Sequence, residues 1–246
     1  MEMKNISKNF GGILALNNVS LKLYEGEILA LVGDNGAGKS TQIKILSGVF
    51  PPAEGEIIIN GEKVDINSYN RRKAKRLGIE AVYQDLALVD SLDAPTNVFL
   101  GEEKVKNVLG LKFLDKLAMA RETLKLLETL KVRIQNIYQP VYNLSGGQKQ
   151  SVAIGRALRK TISLRGCLIL DEPTAALGAE ESEKTLSLIR SLRDQGLSII
   201  IIAHNLEHIF RVANRIAVLR RGELVGIRKT EETDKGEIVG MIIGAT

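Results

Sequence analysis

The chain has 246 residues, 44% hydrophobic and 26% charged, which is the composition of a globular protein with a substantial core. Its single cysteine, Cys167, excludes an intrachain disulfide and any zinc site built on paired cysteines. The sequence has neither an apolar run long enough to span a membrane nor, at its N-terminus, the apolar segment of a signal peptide. We therefore expect a cytosolic, soluble protein.

The basic balance of the chain, a net charge of +5, admits nucleic acid or anionic lipid as a partner. The densest basic stretch, residues 71–76, contains no interleaved aromatic residue. We interpret it mainly as the solvated face of a helix, with contact to a membrane surface as the smaller alternative.

The first predicted elements are strands. Polar and apolar residues alternate in residues 1–27, and Val19, Leu21 and Leu23 fall on one face of a strand. A further strand over residues 55–61 ends in an Asn-Gly turn signal. Together these strands predict a small antiparallel β layer.

A glycine-rich segment follows the apolar run at residues 28–32 and opens a predicted helix over residues 39–49. Its glycines allow successive N–H groups to point at phosphate oxygens, Lys39 supplies a positive charge for the β- and γ-phosphates, and the Ser40 hydroxyl can bind Mg²⁺. This P-loop predicts ATP or another nucleoside triphosphate with Mg²⁺; the alternative is a turn that only caps a helix. Its candidate binding residues are Gly33, Asn35, Gly36, Ala37, Gly38, Lys39, Ser40 and Thr41.

The middle of the chain differs from its flanks. Leucines recur at helical spacing with charges between them, at Leu114, Leu117, Leu124, Leu127 and Leu130, which predicts a mostly helical subdomain over about 86–159. After it, buried strands over residues 166–170 and 197–203 flank a helix around residues 180–195, and a hairpin turns at Arg221-Gly222. Apolar strands that alternate with helices predict an α/β fold with a parallel sheet covered on both faces. We predict one domain over residues 1–246, whose core with its β layer comprises residues 1–85 and 160–246.

Three polar residues follow predicted buried strands. Asp171 and Glu172 end one strand, and we assign Asp171 to Mg²⁺, through water, and Glu172 to the polarisation of the attacking water. His204 follows the next strand, and parallel sheets bind ligands at that edge. The alternatives are a solvated acidic strand end and a structural histidine.

A second glycine-rich turn, Leu144-Ser145-Gly146-Gly147-Gln148, opens a helix and makes a second anion-binding helix N-terminus. The alternative is a plain helix start with Ser145 as its N-cap. Because one P-loop needs no second phosphate cradle, the simplest interpretation is a dimer in which each turn caps the ATP of the partner.

The order of these motifs, with Gln84 between the P-loop and the second glycine-rich turn, resembles the ATP-binding-cassette (ABC) ATPase family over essentially the whole chain. In that family residues 144–148 correspond to the signature motif, and we call them the signature turn. The resemblance implies a P-loop core with a mainly parallel sheet, an antiparallel β subdomain and an inserted helical subdomain. It implies that Phe10 stacks on adenine, and that Gln84 contacts Mg²⁺ and the attacking water and senses the transporter partner. It also implies that His204 holds the γ-phosphate. The residues that it assigns to the partner's ATP are Ser145, Gly146, Gly147 and Gln148.

Four segments, at residues 8–16, 83–88, 174–177 and 203–206, look like bacterial importers of simple sugars. This narrower resemblance implies an ATP-hydrolysing subunit on the inner face of the cell membrane that pairs with a second, identical ATPase chain. It implies permease subunits that bind near residues 84–101, a sugar-binding protein that acts indirectly, and no nucleic acid. The alternative is a soluble ABC ATPase that acts on nucleic acid or ribosomes, which the basic charge favours and the single cassette without a long coiled coil opposes.

Three departures from the family pattern stand out. Gly178 replaces the Asp that normally follows the Ala-Leu pair and links the two ATP sites. The segment over residues 159–166 is a few residues longer than usual. Many sugar-importer relatives carry two cassettes in tandem, whereas this sequence has one, so we expect it to pair with a second chain; the alternative is that it is one half of something longer.

Overall fold

The computed structural model describes residues 1–161, 164 and 166–245, which form three sheets and eight α-helices. The strands are β1 (Glu2–Phe10), β2 (Ile13–Lys22), β3 (Ile28–Val32), β4 (Glu54–Ile59), β5 (Glu62–Val64), β6 (Ile79–Val82), β7 (Val105–Val108), β8 (Leu111–Leu114), β9 (Cys167–Asp171), β10 (Ser198–Ile202), β11 (Arg215–Arg220) and β12 (Glu223–Lys229). The helices are α1 (Lys39–Leu46), α2 (Arg71–Arg76), α3 (Ala94–Val98), α4 (Lys116–Thr129), α5 (Gly146–Thr161), α6 (Ala179–Asp194), α7 (Leu206–Val212) and α8 (Lys235–Ile243).

The central sheet has six strands in the order β12-β11-β3-β10-β9-β6, and all its neighbours are parallel except β12, which pairs antiparallel with β11. Every residue of β3 and β10 is buried, as expected for strands covered on both faces. Alternate residues of β3 enter different cores: Ile28 and Ala30 pack on one face, Leu29 and Leu31 on the other. The predicted α/β fold with a parallel sheet is confirmed.

The N-terminal strands form a separate antiparallel sheet in the order β2-β1-β4-β5. Val19, Leu21 and Leu23 are buried together, as their alternation predicts. The turn between β4 and β5 is Asn60-Gly61, with φ of 53° and 83°, which is the backbone that an Asn-Gly hairpin turn adopts. This sheet packs against the same core as the Leu29 face of the central sheet.

The segment between the P-loop and the signature turn is less helical than predicted. Strands β7 and β8 form a two-stranded hairpin there, and Leu114 belongs to β8 and not to a helix. Helix α4 begins after Asp115, whose side chain accepts a hydrogen bond from the Ala118 N–H. The helix buries Met119, Ala120, Thr123 and Leu127, whereas Leu117 and Leu124 are exposed. Of the five leucines in the pattern only Leu127 and Leu130 are buried, so the leucine spacing identifies only part of the face that packs.

The C-terminal hairpin turns at Arg221-Gly222 as predicted and places β12 at the edge of the central sheet. The expectation about the length of residues 159–166 falls on a segment that lies partly outside the described residues. Among the residues described, no helix is long and apolar enough to cross a membrane.

Candidate nucleotide-binding site

The P-loop is held by close backbone contacts that only glycine permits. Gly38 has a φ of +103°, and a Cβ there would lie 2.7 Å from the Leu16 side chain and 2.8 Å from the Ala15 carbonyl oxygen. At Gly33, φ is +151° and a Cβ would lie 2.2 Å from the Leu219 carbonyl oxygen. Helix α1 begins directly after Gly38, whose missing side chain caps none of the first N–H groups. These N–H groups are therefore available to a phosphate.

Lys39 is 7% exposed and folds back over the loop. Its Nζ donates to the carbonyl oxygens of Gly33 at 2.8 Å and Asp34 at 2.9 Å. Burial lowers the pKa of Lys39, and the nearby negative charge of Glu172 opposes that shift. The ammonium group therefore lies inside the phosphate cradle, bonded to carbonyl oxygens of the loop. When a nucleotide binds, phosphate oxygens can replace these carbonyl oxygens as its acceptors.

The three residues predicted to bind Mg²⁺ line one cleft. Ser40 at the start of α1, Gln84 after β6 and Asp171 at the end of β9 meet there, next to Tyr83. Burial raises the pKa of Asp171, which the positive charge of Lys39 opposes. A hydroxyl, an amide and a carboxylate are the hard oxygen donors that suit Mg²⁺, so the donor set fits the ion. The described residues hold no group of three or more His, Cys, Asp and Glu side chains that could bind a metal, so phosphate and water would complete the coordination.

Glu172 sits in an unusual backbone position at the edge of the central sheet. Its φ is +52°, in the left-handed region, and its N–H donates to the Ile202 carbonyl oxygen at 2.8 Å. The side chain is 12% exposed, and its Oε1 has no hydrogen-bond partner within the described part of the chain. Nonglycine residues persist in this region only where surrounding contacts enforce it, often at functional sites. The strand end therefore presents an unsatisfied carboxylate oxygen.

His204 lies beside this carboxylate, with its Nε2 at 3.4 Å from Glu172 Oε1. Burial raises the pKa of Glu172, and His204 opposes the shift. A second histidine, which sequence reasoning missed, holds the loop that follows: His208 Nδ1 lies 3.0 Å from Thr174 Oγ1. No local pattern in the sequence identified His208, because His204 precedes the N-cap of α7 and contacts a different residue.

The signature turn has features of both structures that the sequence left open, a helix start capped by Ser145 and an anion-binding helix N-terminus. Ser145 and Gln148 form a capping box, in which the Gln148 N–H donates to Ser145 Oγ at 3.3 Å and the Ser145 N–H donates to Gln148 Oε1 at 3.1 Å. The Gly147 N–H points elsewhere and donates to Glu181 Oε1 at 3.4 Å. An anion is thus already present at this helix N-terminus, and it comes from α6. Sequence reasoning missed Glu181.

The two predicted phosphate cradles lie in different clefts. Ser145, Gly147 and Gln148 share a cleft with Glu181 and with residues of α6, and its described lining includes no P-loop residue. The P-loop residues Asp34, Asn35, Gly36 and Ala37 line another cleft with Arg220 and Arg221. A single chain therefore does not bring its signature turn to its own P-loop.

Phe10 ends β1 and is half exposed, with its ring edge-on to that of Phe50 at a centroid distance of 5.3 Å. The hairpin that begins with Phe10 touches the P-loop region, because Ala15 approaches Gly38 and the Asn17 N–H donates to the Gly222 carbonyl oxygen at 2.8 Å. Its role in binding adenine stays a prediction.

The segment after Gln84 is hydrogen-bonded to α5, the helix that begins in the signature turn. Arg156 of α5 donates to the carbonyl oxygens of Ala87 at 2.7 Å and Leu86 at 2.8 Å. Both of these residues have positive φ, 54° at Leu86 and 47° at Ala87. One guanidinium thus holds a strained turn next to the cleft of Gln84 and connects it to the helix of Gly147.

Gly178 is the N-cap of α6, and in the described structure no atom lies within 4 Å of where its Cβ would be. Its φ of −66° and ψ of 169° suit an L residue.

We expect Gly178→Asp to raise the free energy of unfolding by about 0.3 kcal/mol, because a carboxylate can accept from the first N–H groups of the helix. Gly178→Ala, which cannot cap, should lower it by about 0.5 kcal/mol. Urea denaturation of the three proteins measures this order; equal stability of the Asp and Ala variants would contradict it.

Comparison with known proteins agrees with this site. Residues 16–175 match the profile of the ABC transporter family. A xylose/arabinose import ATP-binding protein of Sulfolobus acidocaldarius is 45% identical over 97% of this chain and 91% of its own length. A ribose import ATP-binding protein of Clostridium tetani is 42% identical over 99% of this chain, which spans only 47% of that relative. A solved dimer of an ATP-binding cassette in a post-hydrolysis state, with ADP and Pi, superposes with a TM-score of 0.75 at 28% identity, covering 93% of this chain and 98% of the other.

The fold and the site together define a P-loop nucleotide-binding protein. The chain belongs to the ABC transporter family, as an ATP-binding and ATP-hydrolysing domain. The family that the motif order predicts is thereby confirmed.

Proposed function

We propose that this chain is the Mg²⁺-dependent ATPase subunit of an importer for a simple sugar, and that it works as a face-to-face dimer on the inner face of the cell membrane. The observation that carries the proposal is the separation of the two phosphate cradles into different clefts of one chain. A second chain supplies the missing half of each site. The names of the relatives, xylose/arabinose and ribose import ATP-binding proteins, support the choice of cargo class.

In this mechanism the residues of one chain bind ATP and prepare the attacking water. The N–H groups at the start of α1 and the Lys39 ammonium hold the phosphates, and Ser40, Gln84 and Asp171 hold the ion. When bound, Mg²⁺ neutralises charge that develops on the β- and γ-phosphate oxygens. Glu172 Oε1, which lacks a hydrogen bond in the described structure, accepts from the attacking water, and His204 orients it.

The signature turn of the second chain closes each site through the N-terminus of α5. ATP favours the closed dimer because it is contacted from both sides only there. Hydrolysis removes that advantage and reopens the dimer. The Arg156 contacts pass these changes to the turn after Gln84, where we place the permease, near residues 84–101.

Glu181 opposes dimer closure in this mechanism. Its carboxylate accepts from the Gly147 N–H, which is the donor that the partner's γ-phosphate requires. We expect Glu181→Gln to lower the ATP concentration needed for half-maximal dimerisation about two- to fivefold, because a negative charge leaves the helix N-terminus. Size-exclusion chromatography in the Glu172→Gln background measures the shift. Glu180→Gln, which alters an exposed carboxylate bonded to Lys184, is the matched control; an equal shift in both variants would refute the role of Glu181.

The test of the proposed function is ATPase activity as a function of protein concentration, with Mg²⁺ and with a chelator. We expect activity per chain to rise with concentration and to vanish without Mg²⁺. A specific activity independent of concentration would overturn the dimer, and activity with the chelator would overturn the ion. Uptake of labelled pentoses and hexoses by cells that lack the chain tests the cargo. Unimpaired uptake together with salt-dependent binding to RNA or DNA would favour the nucleic-acid alternative.

A further inference from the structure

The hairpin of β7 and β8 is an unusual feature for the surface of a globular protein. All eight of its strand residues are exposed, although five of them are Val, Leu or Phe. Leu111 is 64% exposed and Leu109, at the tip, is 100% exposed. An isolated two-stranded hairpin is only marginally stable in water. These residues, 105–114, form what we call the apolar hairpin, and the described part of the chain does not cover them.

The tip of the apolar hairpin is strained as well as exposed. Leu109 and Gly110 form its two-residue turn with φ of 51° and 84°. Turns of this type favour Asn or Gly at the first position, because a branched side chain is disfavoured at positive φ. A leucine held there, fully exposed, has a conformational cost with no compensating contact in the described structure. The position therefore points to a contact outside the chain.

The apolar hairpin is also basic. No acidic residue occurs between Lys104 and Leu114, and Lys116 follows directly after the helix cap. Lys104 is paired with Glu122. Within the described residues, no ion pair joins Lys106, Lys112 or Lys116 to a carboxylate, so three positive charges without an ion-pair partner lie in the hairpin or just after it. Basic residues around an apolar tip match the interface of an anionic bilayer.

The distribution of apolar residues over both faces of the hairpin favours a bilayer over a protein surface as its partner. The register pairs Val105 with Leu114 on one face of the hairpin, and Val108 with Leu111 on the other. A protein interface would cover one face, whereas a hairpin that enters headgroups tip first is surrounded on both. A second copy of the hairpin would bring like charges together, which disfavours self-association.

We propose that the apolar hairpin is a membrane-anchoring device that inserts Leu109 into the headgroup region of an anionic bilayer, with Lys106, Lys112 and Lys116 bound to lipid phosphates. This inference does not depend on the nucleotide chemistry of the proposed function. It assigns to the chain a lipid contact of its own, besides any contact with a permease.

The test is sedimentation of the full chain with vesicles of phosphatidylcholine alone, or of equal parts phosphatidylcholine and phosphatidylglycerol. We expect binding to the anionic vesicles only, weakening as salt rises. Leu109→Asn should weaken that binding about tenfold, because one buried leucine side chain is lost from the interface. Asparagine suits positive φ, so this variant keeps the turn. Its ATPase activity should equal that of the unaltered chain, which separates a failed anchor from a failed enzyme.

Charge is tested with two matched double variants. Lys106→Gln with Lys112→Gln should weaken anionic binding by more than tenfold, at about fivefold for each charge. Arg72→Gln with Arg76→Gln removes the same charge from α2, the densest basic stretch, and should change binding little. Absence of vesicle binding at low salt, equal binding to neutral vesicles, or equal losses in the two double variants would each overturn the proposal. Full vesicle binding by Leu109→Asn would overturn it too, and would leave a protein as the partner of the tip.

Discussion

Glu172→Gln is expected to lower the rate of ATP hydrolysis by roughly 10²–10⁴-fold while ATP binding is retained. The carboxylate has an oxygen without a hydrogen-bond partner in the described structure, and glutamine keeps its shape but cannot accept a proton from water. Because the trigger for reopening is lost, the variant should also accumulate as a dimer when ATP is added. Single-turnover hydrolysis and size-exclusion chromatography measure the two effects.

The control for this substitution is Glu56→Gln, which removes the same charge from an exposed residue paired with Lys63. It should hydrolyse ATP at the unaltered rate. If Glu172→Gln turned over normally, another residue would have to be the base; if it failed to bind ATP, the substitution would have damaged the cradle and not the chemistry.

Acid pH should act on the same group. Burial raises the pKa of Glu172, so this carboxylate takes up a proton at a higher pH than an exposed glutamate. The protonated form cannot serve as a base. As the pH falls, activity should therefore decline at pH values above the ordinary range for a glutamate, and the residual activity of Glu172→Gln should lack that step. A pH profile of the turnover number at saturating ATP tests this, and the same acid limb in both proteins would assign it elsewhere.

Gly38→Ala should have the second large effect, on both stability and binding. The new methyl group would overlap the Leu16 side chain and the Ala15 carbonyl oxygen in a backbone with φ of +103°. We expect the free energy of unfolding to fall by roughly 2–4 kcal/mol. Displacement of the loop should remove at least two charge-assisted phosphate contacts and weaken ATP binding by about 100-fold or more. Denaturant titration and calorimetric titration with ATP measure the two changes.

Gly61→Ala is the matched control, because it introduces a Cβ at positive φ without any close contact. Gly61 has a φ of +83°, and in the described parts of the chain no atom lies within 4 Å of its missing Cβ. Its substitution should reduce the free energy of unfolding by about 1–2 kcal/mol and leave ATP binding unchanged. Should Gly38→Ala bind ATP as tightly as Gly61→Ala does, the close contacts at Gly38 would not be what shapes the cradle.

Local patterns in the sequence were enough to predict most of the sheet and the family. The apolar runs at residues 28–32, 166–170 and 197–203 are buried strands because only a sheet covered on both faces accommodates them. The P-loop and the carboxylates of Asp171 and Glu172 follow such strands directly, so their place at one sheet edge follows from the chain direction. Turn chemistry identified the Asn60-Gly61 and Arg221-Gly222 hairpins in the same way.

Contacts between distant segments were not predictable, because no local pattern encodes them. Gly147 meets Glu181 across 34 residues, and Thr174 meets His208 across another 34. Leucine spacing predicted a helix through Leu114, but the turn at Leu109 folds that stretch into a hairpin. Helix α4 buries Met119 and Thr123 and leaves Leu117 and Leu124 exposed. Periodicity reports which residues share a face, and the packing of neighbouring elements determines which face is buried. The two glycine-rich turns predicted a dimer from the sequence alone, whereas the placement of the two phosphate cradles in different clefts of one chain is determined by this packing.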